Sequence, residues 1–323
     1  MDIEAEPSLD CLRGTGRGIL SAMLHSLDHV ILGVRNLDAA TGQYARLLGR
    51  SPSWRGEHPS AGTVNTLFRL ENTYLELLSP VGDGPVGRAV ARWLDARGEG
   101  LLGLAFGTDD AEACRQFFEE RALEPAAVEK GLGRDVESGA FREWRRVPLP
   151  ISRTRGVSLF AIEHLTSDEV LARGLPSGDE SAAVCALDHA VVRTADAEAS
   201  KALYGDGLGL RLALDRRFEQ WGARLLFFRV GGITVEIAAS LNPAARADED
   251  DPLPNGDCDQ LWGLSYRVGD AHGARARLIE YGFLASDVRD GRKPGTKVFS
   301  VGAGTCGVPT LMLEPAPTSG ETT

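Results

Sequence analysis

The 323-residue chain is an internal duplication, and this narrows its possible folds more than any other feature. Leu27-Asp28-His29 returns as Leu187-Asp188-His189, an offset of 160 positions. The offset persists: Tyr44 matches Tyr204, Leu48-Gly49 matches Leu208-Gly209, Gly62 matches Gly222, Phe68-Arg69 matches Phe228-Arg229, and Glu76 matches Glu236. His and Glu are 47 positions apart in both copies. A second pair of segments repeats at the same offset, with Leu101-Leu102-Gly103-Leu104 matching Leu261-Trp262-Gly263-Leu264. Both copies close on a glutamate seven residues after a glycine, Gly156 to Glu163 and Gly307 to Glu314. Each half therefore holds two modules.

The modules share one order of elements. A short apolar strand opens each, such as residues 29–34 or 264–268. A helix follows: Leu37, Ala40, Tyr44, Leu47 and Leu48 fall at helical spacing, as do Ala274, Leu278 and Tyr281. Gly49, Gly209 and Gly282 stand where such helices stop. Three strands complete the module, with Gly231-Gly232 as the hairpin turn between residues 225–230 and 234–238. The expected class is α+β, built from four βαβββ modules. A first domain is expected over 21–165, with modules 26–80 and 100–164 and a helix at 86–97 between them. A polar linker over 166–185 leads to a second domain over 186–317, with modules 186–240 and 260–315. Residues 1–20 and 318–323 read as loose ends, and the acidic, proline-bearing stretch 241–259 as a solvated loop.

Charge and composition exclude several functions. The formal net charge of -11 leaves no basic surplus for nucleic acid. No apolar run approaches the roughly 18 residues of a membrane span, and the acidic start MDIEAEPSLD lacks the order of a signal peptide. The cysteines, at 11, 114, 185, 258 and 306, are scattered without CxxC spacing and read as free thiols of a reducing cytoplasm. No GxSxG element or Cys–His pair suggests a hydrolase. The expected partner is a small molecule, and the expected state a monomer or homodimer.

The fourfold pattern, with the segments LDHVILGV, YLELLSP, LDHAVVRT and GGITVEIAAS and the endings GVSLFAIEH and GVPTLMLEP, resembles the vicinal oxygen chelate superfamily of glyoxalases, extradiol dioxygenases and bleomycin-resistance proteins. The resemblance implies that neighbouring modules pair into two glyoxalase-like half-barrel domains. It also implies metal ligands on the first and last strands of each module. These positions are His29 and Glu76, Gly103 and Glu163, His189 and Glu236, then Gly263 and Glu314. A pairing of modules one and three would instead collect His29, Glu76, His189 and Glu236.

Glycine cannot ligate, so each domain would offer one histidine and two glutamates. That oxygen-rich set suits a divalent Mn²⁺, Fe²⁺, Zn²⁺, Ni²⁺ or Mg²⁺ acting as a Lewis acid, with Glu163 or Glu314 as proton acceptor. The resemblance thus implies a metal-dependent isomerase, epimerase or lyase acting on a small oxygenated substrate through an enediolate or oxyanion. A metal-free binding or resistance protein and an extradiol-type dioxygenase are the alternatives. His164 would take the place of Glu163 if the strand register shifted by one, because neighbours point to opposite faces. His58 and Asn65 are expected at the rim of a pocket. Arg216, Trp221 and Arg224 are candidates for holding an anionic or aromatic substrate, and residues 291–297 read as a turn.

Overall fold

The computed structural model describes residues 22–241 and 258–317. Segments 1–20 and 318–323, Cys11 and most of the acidic 241–259 stretch lie outside the described residues. The first half runs β1 (Ser26–Gly33), α1 (Leu37–Leu48), β2 (Trp54–His58), β3 (Thr63–Arg69) and β4 (Tyr74–Pro80). The joining helix α2 (Pro85–Arg97) leads to β5 (Gly100–Gly107), α3 (Ala111–Glu120), β6 (Glu129–Asp135), β7 (Phe141–Pro148) and β8 (Ser158–His164). The second half runs β9 (Val184–Thr194), α4 (Ala197–Lys201), β10 (Arg211–Phe218), β11 (Ala223–Val230) and β12 (Ile233–Ser240). It continues with β13 (Asp259–Val268), α5 (Ala271–Glu280), β14 (Arg289–Asp290), β15 (Lys297–Val301) and β16 (Thr310–Glu314). The order is βαβββ in each of the four modules.

Local chemistry explains the element ends. Leu37, Ala40, Tyr44, Leu47 and Leu48 form the buried stripe of α1. Asn36 caps its start by accepting from the Ala39 amide, and Gly49, at φ 66°, closes it in the left-handed region. Aspartates do the same at the starts of α3, α4 and α5, through Asp110, Asp196 and Asp270.

Within each half the opening strands pair back to back. β1 is parallel to β4 and antiparallel to β5, and β9 is parallel to β12 and antiparallel to β13. Neighbouring modules therefore share a sheet; modules one and three do not. The two sheets differ in one respect that the repeats did not suggest. The first closes into an eight-stranded barrel, because β2 and β6 pair through Gly56–Asp135 and Glu57–Arg134. The second stays an open eight-stranded sheet, with β10 and β14 at its edges. β6 has seven residues and can reach across, whereas β14 has two.

One apolar core runs through both halves, from Leu24 to Met312. The helix layers meet within it. Tyr44 of α1 donates its hydroxyl proton to the Thr305 carbonyl at 2.9 Å, and Arg277 of α5 donates to the last carbonyls of α1, at Arg46 and Leu47. Cys114, Cys185, Cys258 and Cys306 are free thiols, and burial pushes Cys114 and Cys306 up to about 12. Among the described residues no helix is long and apolar enough to cross a membrane.

Candidate active site

The concave face of the first barrel carries a buried acid–base cluster. β1 supplies His29 and β4 supplies Glu76, with His29 Nε2 3.5 Å from Glu76 Oε2. The other ring nitrogen, Nδ1, lies 2.7 Å from Asp28 Oδ1. A register shift in the β1–β5 pairing between Leu27 and His29 accompanies this contact of sequence neighbours. The second oxygen of Asp28 is 3.0 Å from His164 Nε2. Burial pushes the Asp28 carboxyl up, but the hydrogen bonds of His164 and His29 outweigh it and hold it well below the usual carboxylate range. Glu76 Oε1 accepts from Asn65 Nδ2 at 2.7 Å. Tyr74 stacks on the His29 ring at 4.6 Å and Phe160 meets it edge-on at 5.6 Å, so the imidazole is held on three sides.

Of these groups His29, Asn65, Tyr74, Glu76 and Phe160 line a cavity of about 730 Å³. Ile31, Leu67, Leu78 and Leu102 give it an apolar wall, and Trp54, Trp93 and Trp144 an aromatic one. Gly56 is needed where β2 passes this wall: a Cβ there would come within 2.2 Å of Trp54 Nε1 and 2.5 Å of Asn65 Oδ1. His58 and Asn65 both line the cavity. His58 rests on the Thr63 hydroxyl at 3.0 Å, and its pKa is lowered by burial and further by Arg142 and Arg146, against the opposing charge of Glu76.

Glu163 and Glu314 are placed elsewhere, and the strand register explains why. On β1 and β5, His29 lies opposite Ala105 and Ile31 opposite Gly103, so the pseudo-twofold between modules exchanges His29 with Gly103. Gly103 pairs with Ser158 as His29 pairs with Tyr74. The counterpart of Glu76 is therefore Phe160. Glu163 lies three positions further on and faces the helix layer. There its Oε2 accepts from the Ala111 amide at the start of α3 at 2.9 Å, and its Oε1 pairs with Arg145 at 2.6 Å. In the second half the counterpart of Glu236 is Leu311, by the pairing of Leu264 with Thr310, and Glu314 caps α5 through the Ala271 amide at 2.8 Å. Both glutamates stabilise helix starts. Glu163→Gln is expected to cost about 2 kcal/mol of stability, read from urea unfolding, and to leave ligand affinity in the cup unchanged. A loss of affinity at unchanged stability would return Glu163 to the site. His164, one position on, lies on the opposite face of β8 from Glu163 and meets Asp28, outside the residues that line the cavity.

The second sheet repeats the core of the cluster in a more open setting. His189 Nε2 is 3.7 Å from Glu236 Oε2, and His189 Nδ1 is 3.0 Å from Asp188. Burial raises the Glu236 carboxyl, against the charges of His189 and Arg292. Trp221 stacks on Phe218 at 4.4 Å with Arg292 3.6 Å above it, and Arg216 lies 5.1 Å from the Phe218 ring. Arg216 and Trp221 thus stand in an aromatic–cation rim. Arg224 does not: it turns to the helix side, paired with Asp215 and Glu198 of α4.

The aspartates behind the histidines predict an acid limb of stability. Burial pushes Asp188 up, but hydrogen bonds from His189 and Arg267 prevail and bring it down to about 2, from 3.8 for an unperturbed aspartate. Asp28 is lowered likewise. The folded chain therefore binds fewer protons than the unfolded one in this range. The stability these groups contribute is complete above a pH of about 4 and is lost as pH falls, for Asp188 through about 2. Asp28→Asn should flatten that limb in urea midpoints measured against pH. An unchanged slope would show that the two hydrogen bonds to Asp28 carry no linkage.

The donors of each cup do not fit the divalent ion that the sequence resemblance implies. Among the described residues no three His, Cys, Asp or Glu side chains converge as a metal-holding group. Of the strand positions that the resemblance assigns to ligands, each cup keeps one His and one Glu, and the positions that would complete a set are Gly103 and Phe160, or Gly263 and Leu311; His58, although it lines the first cavity, does not converge with them. A side chain at Gly103 is sterically barred as well, since its Cβ would lie 2.7 Å from the Ser158 carbonyl oxygen. The set is also short of the two histidines and one carboxylate of an iron dioxygenase face. Sequence reasoning missed Arg142, Tyr74 and Phe160 in the cup. Asp28 was available in the repeated tripeptide.

Comparison with known proteins agrees with this architecture. Residues 27–184 match the glyoxalase-like domain family, and residues 188–299 match the glyoxalase/bleomycin resistance protein/dioxygenase superfamily. The ethylmalonyl-CoA/methylmalonyl-CoA epimerase of Cereibacter sphaeroides is 30% identical over 99 residues, which cover 30% of this chain and 72% of that protein. Among solved structures, a mutant of 4-hydroxymandelate synthase from Streptomyces coelicolor superposes with a TM-score of 0.61 at 16% identity, over 91% of this chain and 94% of that one. A hypothetical protein from Staphylococcus aureus gives 0.59 at 11% identity, over 88% and 97%. At these identities the structural likeness shows the fold alone.

Proposed function

The chain belongs to the vicinal oxygen chelate superfamily, the glyoxalase/bleomycin resistance protein/dioxygenase group, and we propose that its first cup is an isomerase or epimerase site that moves a proton on a small carbonyl compound with side chains alone. The observation that carries this reading is the His29–Glu76 pair at 3.5 Å, backed by Asp28 and enclosed in the 730 Å³ cavity. Asp28 accepts from Nδ1–H and so fixes the tautomer in which Nε2 presents its lone pair towards Glu76 and the cup. Two groups that can each hold a proton then flank the space where a C–H bond next to a carbonyl would sit. The Asn65 amide holds the carboxylate of Glu76 in place, and the Tyr74 ring holds the imidazole. Apolar and aromatic side chains flank the same space.

The curated relative is an epimerase, which supports this reaction class over an oxidative one. The test is wash-in of deuterium. The protein is incubated in D₂O with methylmalonyl-CoA, with 2-substituted 3-oxo acids and with α-hydroxy ketones, and the C–H signal is followed by proton NMR. Exchange faster than in buffer is expected for at least one class. The missing donors at Gly103 and Phe160 favour a second reading, a metal-free binding protein. Exchange at the buffer rate throughout, together with saturable binding, would favour it.

A further inference from the structure

Arg142 stands out in the cup because its charge is buried without a carboxylate beside it. Its residue is 8% exposed, it lines the cavity, and it lies on the face of β7 opposite that of Arg145, which pairs outward with Glu163. The guanidinium lies 5.2 Å from the Tyr74 ring centre and 5.8 Å from that of Trp54. The nearby carboxylates are engaged with other groups. Asp28 divides its two oxygens between His29 and His164, and Glu76 divides its own between Asn65 and His29. Among the described residues no acidic oxygen is within 4.0 Å of the Arg142 nitrogens. A guanidinium offers five donors in a planar fork, and that of Arg142 stands at the cavity wall without an acidic partner.

We infer that the substrate of the first cup is a carboxylic acid, seated by its carboxylate on the Arg142 fork with an apolar, planar body against Trp54 and Trp144. A carboxylate matches the fork with two parallel hydrogen bonds, which a neutral carbonyl or alcohol cannot do. The aromatic walls suit a flat body next to the acid group. Resting on the proton-transfer reading, this narrows the substrate to acids whose labile C–H lies close to the carboxylate. Arg142 then sets specificity, while His29 and Glu76 handle the proton.

The test compares phenylacetate with phenylacetamide, a pair of nearly equal shape that differs in charge, by calorimetric titration of the full chain. Phenylacetate should bind about tenfold tighter or more. Arg142→Met should erase the preference, and Arg142→Lys should retain part of it, since a point charge survives but the fork does not. Glu76→Gln should keep the preference. Equal affinity for the two probes in the wild-type chain overturns the inference, as does the absence of saturable phenylacetate binding. So does a preference that persists in a folded Arg142→Met chain. A preference that depends on Arg142, with no deuterium exchange on any acid, leaves the carboxylate site standing and defeats the proton-transfer reading instead.

Discussion

Phe160→Glu should turn the first cup into a divalent-metal site. Phe160 occupies the position related to Glu76 by the pseudo-twofold, and its ring already meets the His29 ring at 5.6 Å. A carboxylate there would add a third donor to His29 and Glu76 and face the same space. After incubation with Mn²⁺ or Zn²⁺ and extensive dialysis, elemental analysis should find about one equivalent on the variant and far less on the wild-type chain. Phe160 packs on the cluster of Ile31, Leu78, Val90 and Leu94, so the substitution should also lower stability by about 1–3 kcal/mol. Circular dichroism would establish that the variant remains folded. Uptake by the variant no greater than by the wild type would show the register correspondence to be wrong. A full equivalent on the untreated wild-type chain would overturn the statement that its donors do not fit a metal.

Glu76→Gln should lower catalysed hydrogen exchange by about 10²–10⁴-fold with the fold intact. The amide keeps the shape of Glu76 and an oxygen for the Asn65 amide, and loses the capacity to take a proton. Glu236→Gln, the matching change in the second sheet, should leave the rate within about twofold, a change too small to signal loss of a proton-transfer group. The reason for the asymmetry is enclosure. The His29 side chain is 5% exposed inside a closed barrel, whereas that of His189 is 19% exposed on an open sheet. Solvent beside His189 competes for the proton and weakens every charge interaction. NMR rates for the two single variants decide the matter. If Glu236→Gln abolishes exchange and Glu76→Gln does not, the working cup is the second one.

Much of the fold was legible because it rests on local periodicity and repetition. The stripe Leu37, Ala40, Tyr44, Leu47, Leu48 and the stop at Gly49 specify α1 from within twelve residues. The 47-position spacing in both halves singled out His29 with Glu76 and His189 with Glu236, and the fold brings each pair within 4 Å. The same reasoning went astray at Glu163 and Glu314, although their spacing was also repeated. What repeats there is a helix cap: each glutamate meets the first amide of the helix in its own module. Arg142 left no signal at all, since Phe141-Arg142-Glu143-Trp144-Arg145-Arg146 alternates charge on both faces of β7.

By itself, then, the sequence determined the element order, the duplication and which two residues head each cup. These follow from patterns carried within one strand, one helix or one repeat. Only the tertiary structure decided which face Glu163 occupies, that Phe160 stands opposite Glu76, that Asp28 joins two histidines, and that one sheet closes while the other stays open. Each of these depends on the register between strands distant in the chain. A strand turns its side chains by half a revolution per residue, so an error of one position reverses every assignment, and no local pattern sets that register.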